Sequence, residues 1–119
     1  MIINTDTIMN TSTKHRGLFR GKDIYNHWQY GYLVEDWIYG IDKEYIQVRE
    51  STVGICTGIE DRAGSPIYEG DTFEYQGHKF VVEYDPDSAG FVGKGIDKPT
   101  YEVSGFDLHR MTMTGTIHD

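Results

Sequence analysis

The stretch of sequence that decides the fold is TFEYQGHKFVVEY, residues 72–84. Apolar and polar side chains alternate across Thr72–Gln76, and an apolar-rich run resumes across Lys79–Tyr84; such runs are typical of strands. Between them stands Gly77-His78, and glycine at the first central position of a two-residue loop predicts a type II′ turn. Residues 72–84 are therefore predicted to form an antiparallel β-hairpin.

Short apolar or alternating runs on both sides of this hairpin predict further strands. The upstream runs are Trp28–Val34, Trp37–Tyr39, Tyr45–Val48 and Val53–Thr57. The downstream runs are Phe91–Val92, Tyr101–Val103 and Thr112–Ile117. A loop is expected from Gly93 to Thr100, and the one helix-like segment is Gly105–Arg110. The sequence therefore predicts a mainly β fold, a small antiparallel barrel-like or two-layer sheet domain with at most one short helix.

The composition supports the same fold class. The 119 residues include nine Tyr, five Phe and two Trp, and aromatic side chains fit the half-buried surface of a pleated sheet. Fourteen Gly and three Pro fit a chain with many tight turns. Order is expected to begin near Leu18, so we predict a flexible N-terminal extension at residues 1–17 and one β domain at residues 18–119.

The charge balance disfavours direct binding to nucleic acid. The chain has 11 Lys and Arg against 19 Asp and Glu, a net charge of −8, whereas a DNA-binding protein needs a cationic surface to neutralise phosphates. Residues 1–22 hold four basic residues and one acidic residue. We expect this basic arm to be solvated, and we expect no direct nucleic-acid partner.

The cysteine and hydropathy patterns indicate a reducing cytoplasm. Cys56 is the single cysteine, so it forms no intramolecular disulfide, and its apolar neighbours predict a buried side chain. No apolar run is long enough to span a bilayer, and residues 1–4 lack the basic start and apolar stretch of a secretory signal. We therefore expect a cytoplasmic protein without membrane association.

Several blocks of sequence, taken in order, resemble the YopX family. The central blocks form a TVG-x-x-TG step, an acidic turn with glycine, and an IYEGD segment; they are Thr52–Gly54, Thr57–Gly64 and Ile67–Asp71. The blocks similar to the N-terminal part of the family are Phe19–Lys22 and Trp28–Leu33. Those similar to its C-terminal part are Val81-Val82, Ala89–Phe91 and Gly115–Asp119. The resemblance runs from about Leu18 to the end of the chain.

This resemblance implies a phage or prophage setting, within a host bacterial cell, and a fold built mainly of β structure. It implies no particular activity, and a fold by itself does not determine a function. The function must therefore be argued from the side chains that the fold brings together.

The sequence offers no convincing catalytic or metal-binding arrangement. It contains no phosphate-binding glycine motif, and its five His residues are not spaced as metal-ligand pairs on a helix. Glu69 and Asp71 are two residues apart, so on an extended segment they would share a face as an acid–base pair. The alternative, which we favour, is a turn whose carboxylates accept backbone N–H groups. We predict no catalytic residue, no metal, no cofactor and no enzyme activity.

Sixteen aromatic residues in so small a domain exceed what its core needs, and surplus rings are suited to binding. The rings that we expect in the core are Trp28, Tyr30 and Tyr32. We expect Trp37 and Tyr39 to be exposed, because an acidic pair immediately precedes them.

Three hypotheses of function follow. The first is an accessory binding protein that contacts a host protein, and the second is a protein that sequesters a nucleotide or other small ligand, with Arg20, Lys22 or Lys94 near aromatic rings. The third is a hydrolytic enzyme, which the sequence favours least. Exposed strand edges also predict a homo-oligomer. The candidate binding residues are Arg20, Lys22, Trp37, Tyr39, Tyr68, Glu69, Asp71 and Lys94.

Overall fold

The computed structural model describes residues 18–119. The predicted extension, residues 1–17, lies outside the described residues. The strands of the described part are β1 Phe19–Lys22, β2 Trp28–Val34, β3 Trp37–Tyr39, β4 Tyr45–Gln47, β5 Gly54–Glu60, β6 Pro66–Tyr68, β7 Asp71–Tyr75, β8 His78–Asp85, β9 Gly90–Gly95, β10 Glu102–Val103 and β11 Gly115–Thr116. Two 3-10 segments accompany them, Glu50–Thr52 and Gly105–Arg110.

The predicted fold class is confirmed. The strands form two antiparallel sheets, one of which curls into a half-barrel. The predicted short helix is the 3-10 segment Gly105–Arg110, which begins where the hydroxyl of Ser104 accepts the N–H of Phe106 at 3.2 Å. Within residues 18–119, no helix is long and apolar enough to cross a membrane.

The chain divides into two compact units. The first unit ends at Gly58 and the second is Ile59–Asp119. The prediction of one β domain over residues 18–119 stays a prediction.

In the first unit the strands lie in the order β4-β3-β2-β1-β5, all antiparallel. Ile38 lies opposite Ile46 in the register and is only 1% exposed. The other buried apolar side chains of this unit are Leu18, Val48 and Cys56. The burial predicted for Cys56 is therefore confirmed. Ile38 projects from one side of this small sheet, and the site described below lies on the other.

In the second unit the strands lie in the order β10-β9-β8-β7-β11. Phe73 pairs with Phe80 in the register, and their rings stack with centroids 5.3 Å apart. The core around them is built from Ile67, Phe73, Phe80, Val82, Val103, Leu108 and Met111. The 3-10 segment and the chain after it supply the last two of these side chains, so the end of the sequence closes the core of this unit.

The central hairpin is confirmed, but the predicted turn type is wrong. Tyr75 pairs with His78, which makes Gln76 and Gly77 the two central residues of the loop. Both have positive φ, 52° and 80°, and this combination is typical of a type I′ turn rather than type II′. Gly77 therefore occupies the second central position, one place later in the turn than the sequence suggested.

The predicted loop from Gly93 to Thr100 is also partly wrong, because β9 continues to Gly95. A Cβ on Gly93 would lie 2.5 Å from the ring of Phe73. A Cβ on Gly95 would collide with the backbone carbonyl of Lys98. These glycines let a strand pass beneath a large ring and a folded-back loop, so here glycine marks close approach rather than a turn.

A buried carboxylate holds the turn between β5 and β6. Asp61 is 6% exposed, and its Oδ1 accepts the N–H groups of Ala63 at 3.0 Å and Ser65 at 2.9 Å. Its Oδ2 accepts the N–H of Met113 at 3.0 Å. One side chain thus fixes both the turn and the approach of the C-terminal segment.

Candidate functional site

The register of the first unit gathers aromatic side chains on one face of its sheet. Tyr32 on β2 lies opposite Tyr39 on β3, which lies opposite Tyr45 on β4. Val34 lies opposite Trp37 in the neighbouring row. Directly opposite residues of antiparallel strands project from the same face. We call this surface the aromatic face; its residues are Tyr30, Tyr32, Val34, Trp37, Tyr39 and Tyr45.

Most of the aromatic face is open to solvent. The exposed fractions are 64% for Tyr32, 58% for Tyr45, 52% for Val34, 45% for Tyr30 and 40% for Trp37. Tyr39 is half-buried because its ring packs against Tyr45, with centroids 4.6 Å apart. The predicted exposure of Trp37 is confirmed, and Tyr39 is only partly exposed.

The expectation that Tyr30 and Tyr32 lie in the core is wrong. The strand predicted from the alternation at Trp28–Val34 is confirmed as β2, but its tyrosines are largely exposed. Ile38 and Leu33, which are opposite each other in the register, belong to the other face. That face of β2 carries only Gln29, Gly31 and Leu33, so the more aromatic face is the exposed one, and the alternation alone does not say which face is covered.

Glycine makes the close pairing of β2 and β3 possible. Gly31 has a φ of 158°, and a Cβ there would collide with the backbone carbonyl oxygen of Tyr39. Any other residue would push β3 away from β2 and separate the row of tyrosines. Gly31 is therefore part of the construction of the aromatic face.

Two basic residues and a tryptophan meet at the β1 side of the same sheet. Lys22 lies opposite Trp28 in the register, and Arg20 lies opposite Tyr30. The guanidinium carbon of Arg20 is 4.2 Å from the Trp28 ring centroid, and Nζ of Lys22 is 5.1 Å from it, both within cation–π range. Arg20 and Lys22 are 5% and 4% exposed. The structure thus brings these two predicted residues together beside an aromatic ring, but it buries them.

A turn that is held by the carboxylate of Asp23 follows β1 beside this basic pair. Asp23 Oδ1 accepts the N–H groups of Tyr25 at 2.9 Å and His27 at 3.0 Å, and its Oδ2 accepts the side-chain amide of Gln29 at 2.9 Å. The hydrogen bond from the His27 backbone is the main reason that the pKa of Asp23 lies below its ordinary value. These bonds set the path of the chain from β1 into β2.

The outer edge of the first unit's sheet is β4, the last strand in its order. Gly40 donates its N–H to Glu44 at 3.1 Å, and Val48 donates to Asp36 at 2.9 Å. Because hydrogen-bonded and non-hydrogen-bonded pairs alternate in antiparallel strands, the main-chain groups of Tyr45 and Gln47 point away from β3. This edge adjoins the aromatic face.

The remaining predicted binding residues belong to the second unit; they are Tyr68, Glu69, Asp71 and Lys94. Tyr68 is 3% and Asp71 5% exposed, and Asp71 Oδ2 accepts the N–H of Tyr68 at 2.8 Å. The favoured turn interpretation of Glu69-Gly70-Asp71 is therefore confirmed for Asp71. Lys94 lies 3.7 Å from a carboxylate oxygen of Glu102. None of these residues contributes to the aromatic face.

The sequence interpretation missed two grooves in the second unit. The larger is a cavity of about 750 Å³ with charged walls that include Arg62, Glu74, Asp107 and Arg110. The smaller is a cavity of about 490 Å³ walled mainly by aromatic rings. Neither follows from a motif, because the lining residues come from separate segments. The larger groove combines Arg62 with residues of β7, β10 and the 3-10 segment Gly105–Arg110, and the smaller combines residues of β7, β8, β10 and the loop before β10.

The family comparison bears on all of this geometry. The family model described as YopX protein matches residues 31–119, more than half of the chain. The chain belongs to the YopX family. The match includes β3, β4 and most of β2, and so most of the aromatic face, together with all of the second unit. The similarity proposed for Phe19–Lys22 lies before the matched region. A search of curated proteins found no match.

Among residues 18–119, no three His, Cys, Asp or Glu side chains gather as a group that could hold a metal ion.

Proposed function

We propose that this YopX-family protein is a phage- or prophage-encoded accessory binding protein that acts by contact with a host protein, modulating host defence or takeover. The observation that carries the proposal is the aromatic face, with five exposed large side chains in adjacent rows of one sheet. Soluble proteins rarely leave large contiguous apolar patches uncovered unless the patch binds something.

The chemistry of the aromatic face suits a protein partner. Tyrosine and tryptophan are enriched among the residues that dominate binding energy at protein interfaces, because each combines a large rigid ring with a polar group. The face presents four tyrosines and Trp37, with Val34 between them. A partner that covers these rings buries apolar area while the tyrosine hydroxyls keep hydrogen-bond partners at the rim.

Among residues 18–119, β4 is the outermost strand of its sheet, and its outer edge adds a second mode of contact to the same surface. The main-chain N–H and C=O groups of Tyr45 and Gln47 point outward, so an extended segment of the partner can pair with them. Strand addition of this kind supplies main-chain hydrogen bonds, and alternate side chains of the added strand then lie over the neighbouring face. Tyr45 belongs to both the edge and the aromatic face.

The test is an affinity capture from host lysate with the tagged full-length chain, followed by direct titration with the captured protein. The variant carries Tyr32→Ser and Tyr45→Ser, which remove the two most exposed rings of the aromatic face. The matched control is Tyr84→Ser, since Tyr84 is also a strand tyrosine, 49% exposed, in the second unit. We expect the double variant to weaken binding by roughly 30-fold or more and the control to bind as the parent does.

Two results would contradict this proposal. In one, a stoichiometric host protein binds parent and double variant equally. In the other, no host protein is captured at stoichiometric amounts by the parent.

A second candidate, a nucleotide-binding protein, is favoured by the cation–π cluster of Arg20, Lys22 and Trp28. It ranks second because both cations are almost fully buried, so a phosphate reaches them only after Trp28 moves. Mass spectrometry of small molecules released by heating the purified protein tests it. A stoichiometric nucleotide that is lost from Trp28→Ala would move the function to this cluster.

The other functional expectations stay predictions. A hydrolytic role for Glu69 and Asp71 has little support, since neither residue lines either groove of the second unit. A homo-oligomer is compatible with the position of β4 at the outer edge of its sheet in residues 18–119, and light scattering coupled to size exclusion measures the oligomeric state directly.

A further inference from the structure

The smaller groove of the second unit is walled by aromatic rings. We call it the ring groove; the side chains that matter for its chemistry are Tyr75, His78, Phe80, Tyr101, Glu102 and Val103. Tyr75 and Tyr101 are 41% and 46% exposed, whereas Phe80 and Val103 are 3% and 7% exposed. Two tyrosines thus form open walls, and two buried apolar residues form the floor.

Two of the rings meet at a right angle. The centroids of His78 and Tyr101 lie 4.9 Å apart with an interplanar angle of 88°. Asp97 Oδ2 lies 3.3 Å from Nδ1 of His78 and so orients that ring. Tyr75 lies opposite His78 in the β7–β8 register, on the same face of the sheet. The groove is therefore a corner of three rings above an apolar floor.

A short loop fixes the Tyr101 wall in place. The N–H of Gly95 donates to the carbonyl of Tyr101 at 2.9 Å, and the N–H of Tyr101 donates to Lys98 at 2.9 Å. Ile96 donates its N–H to Lys79 at 2.8 Å. Because Gly95 has no Cβ, the backbone of Lys98 can lie directly against the strand. These bonds pre-organise the groove before any ligand arrives.

The charge of the ring groove is negative. Within the part of the chain that the structure describes, no Lys or Arg lines it, and its one carboxylate is Glu102. Lys94 stands 3.7 Å from Glu102, but both side chains are more than two-fifths exposed, so this pair is screened by solvent. Aromatic faces carry a negative electrostatic potential, which adds to the carboxylate.

We propose that the ring groove binds an organic cation of the trimethylammonium class. A quaternary ammonium is weakly hydrated and has no N–H groups to satisfy, so several ring faces and one carboxylate stabilise it better than water does. The floor of Phe80 and Val103 accepts its methyl groups. A free quaternary ammonium compound such as choline and a trimethylated lysine side chain of a peptide carry the same headgroup. This proposal does not depend on the function proposed for the aromatic face.

The test is a titration of the full-length chain with choline, in which the NMR signals of the Tyr75 and Tyr101 rings report binding. The comparison ligand is 3,3-dimethyl-1-butanol, which has the shape of choline without its charge. We expect saturable shifts with choline and an affinity about tenfold weaker for the neutral alcohol. A short peptide containing trimethyllysine forms the third arm; tighter binding than choline identifies a peptide-borne cation, and equal or weaker binding identifies a free quaternary ammonium compound.

Variants separate a cation site from a general apolar pocket. Tyr101→Ala should abolish saturable choline binding, while Tyr101→Phe, which keeps the ring, should stay within about threefold of the parent. Glu102→Gln should weaken choline but leave the neutral alcohol unchanged. Tyr84→Ala, a strand tyrosine outside the groove, serves as the control. Equal affinity for choline and the alcohol, or no saturable binding of choline, would overturn the proposal.

Discussion

The two units of this chain place their aromatic residues in opposite ways. In the first unit the rings of Tyr30, Tyr32 and Tyr45 stand on the outside of the sheet, and Ile38 occupies the buried side. In the second unit Phe73 and Phe80 stack at the centre of the core. Tyrosine thus builds the surface of the first unit, whereas phenylalanine builds the interior of the second.

The difference lies in the hydroxyl group. A buried tyrosine must find a partner for its O–H, whereas phenylalanine has no polar atom to satisfy. Six of the tyrosines in residues 18–119 expose 45% or more of their surface, and the two phenylalanines of the core expose 3% or less. Two residues depart from this trend, since Tyr68 is only 3% exposed and Phe106 is 88% exposed.

The largest expected effect on stability is found by removing one aromatic ring from each unit and comparing the losses. Phe73→Ala removes a fully buried ring from the core and should lower the free energy of unfolding by about 3–5 kcal/mol. Tyr32→Ala removes a ring that is 64% exposed and should change it by no more than about 0.5 kcal/mol. Urea denaturation of parent and variants measures both.

Equal losses from the two substitutions would break the comparison, because they would mean that the aromatic face is covered in the isolated protein. Circular dichroism shows whether each variant is folded before its stability is compared. Phe73→Leu, which keeps much of the buried volume, should recover a large part of the stability lost in Phe73→Ala.

Much of the second unit follows from its sequence. The hairpin β7–β8 was predictable because alternation and a glycine-containing loop act locally. The extension of β9 was not, since Gly93 and Gly95 look like loop residues until the ring of Phe73 and the carbonyl of Lys98 are placed against them. Close approach across a sheet leaves no mark on the local pattern.

The sites were harder to predict than the strands. The register of β2, β3 and β4 creates the aromatic face, and register depends on turns such as the one that contains Lys43, with a φ of 64°. The nucleotide hypothesis requires Arg20, Lys22 or Lys94 near aromatic rings, and the first two lie beside Trp28, but their burial does not follow from their charge. The ring groove depends on the curl of a whole sheet, which pairs of neighbouring residues do not encode.

A smaller effect on stability is expected from removing a buried carboxylate of the second unit, compared with removing an exposed one. Asp61→Ala leaves the N–H groups of Ala63, Ser65 and Met113 without their acceptor, and should lower the free energy of unfolding by about 1–3 kcal/mol. Asp87→Ala, at an exposed turn position, is the matched control and should be neutral within about 0.5 kcal/mol. A thermal melt that shifts equally for both variants would show that the three N–H groups find water instead.

The smallest expected effect is on the loss of stability at acid pH. It is tested by comparing one carboxylate from each unit. The pKa of Asp23 is lowered mainly by the N–H of His27, and that of Asp97 mainly by the hydrogen bond with His78; both lie below the ordinary value of 3.8. A carboxyl whose pKa is lowered by folding stabilises the native state fully above its unfolded pKa, and this contribution is lost as the pH falls through the folded pKa. Stability should therefore decline below about pH 4.

Asn at either position cannot titrate. Asp23→Asn should reduce the acid dependence of the free energy of unfolding more than Asp97→Asn does, because Asp23 accepts three hydrogen bonds. Denaturant melts between pH 2 and pH 7 decide the order, and a steeper acid dependence in Asp23→Asn than in the parent would contradict the direction of the shift.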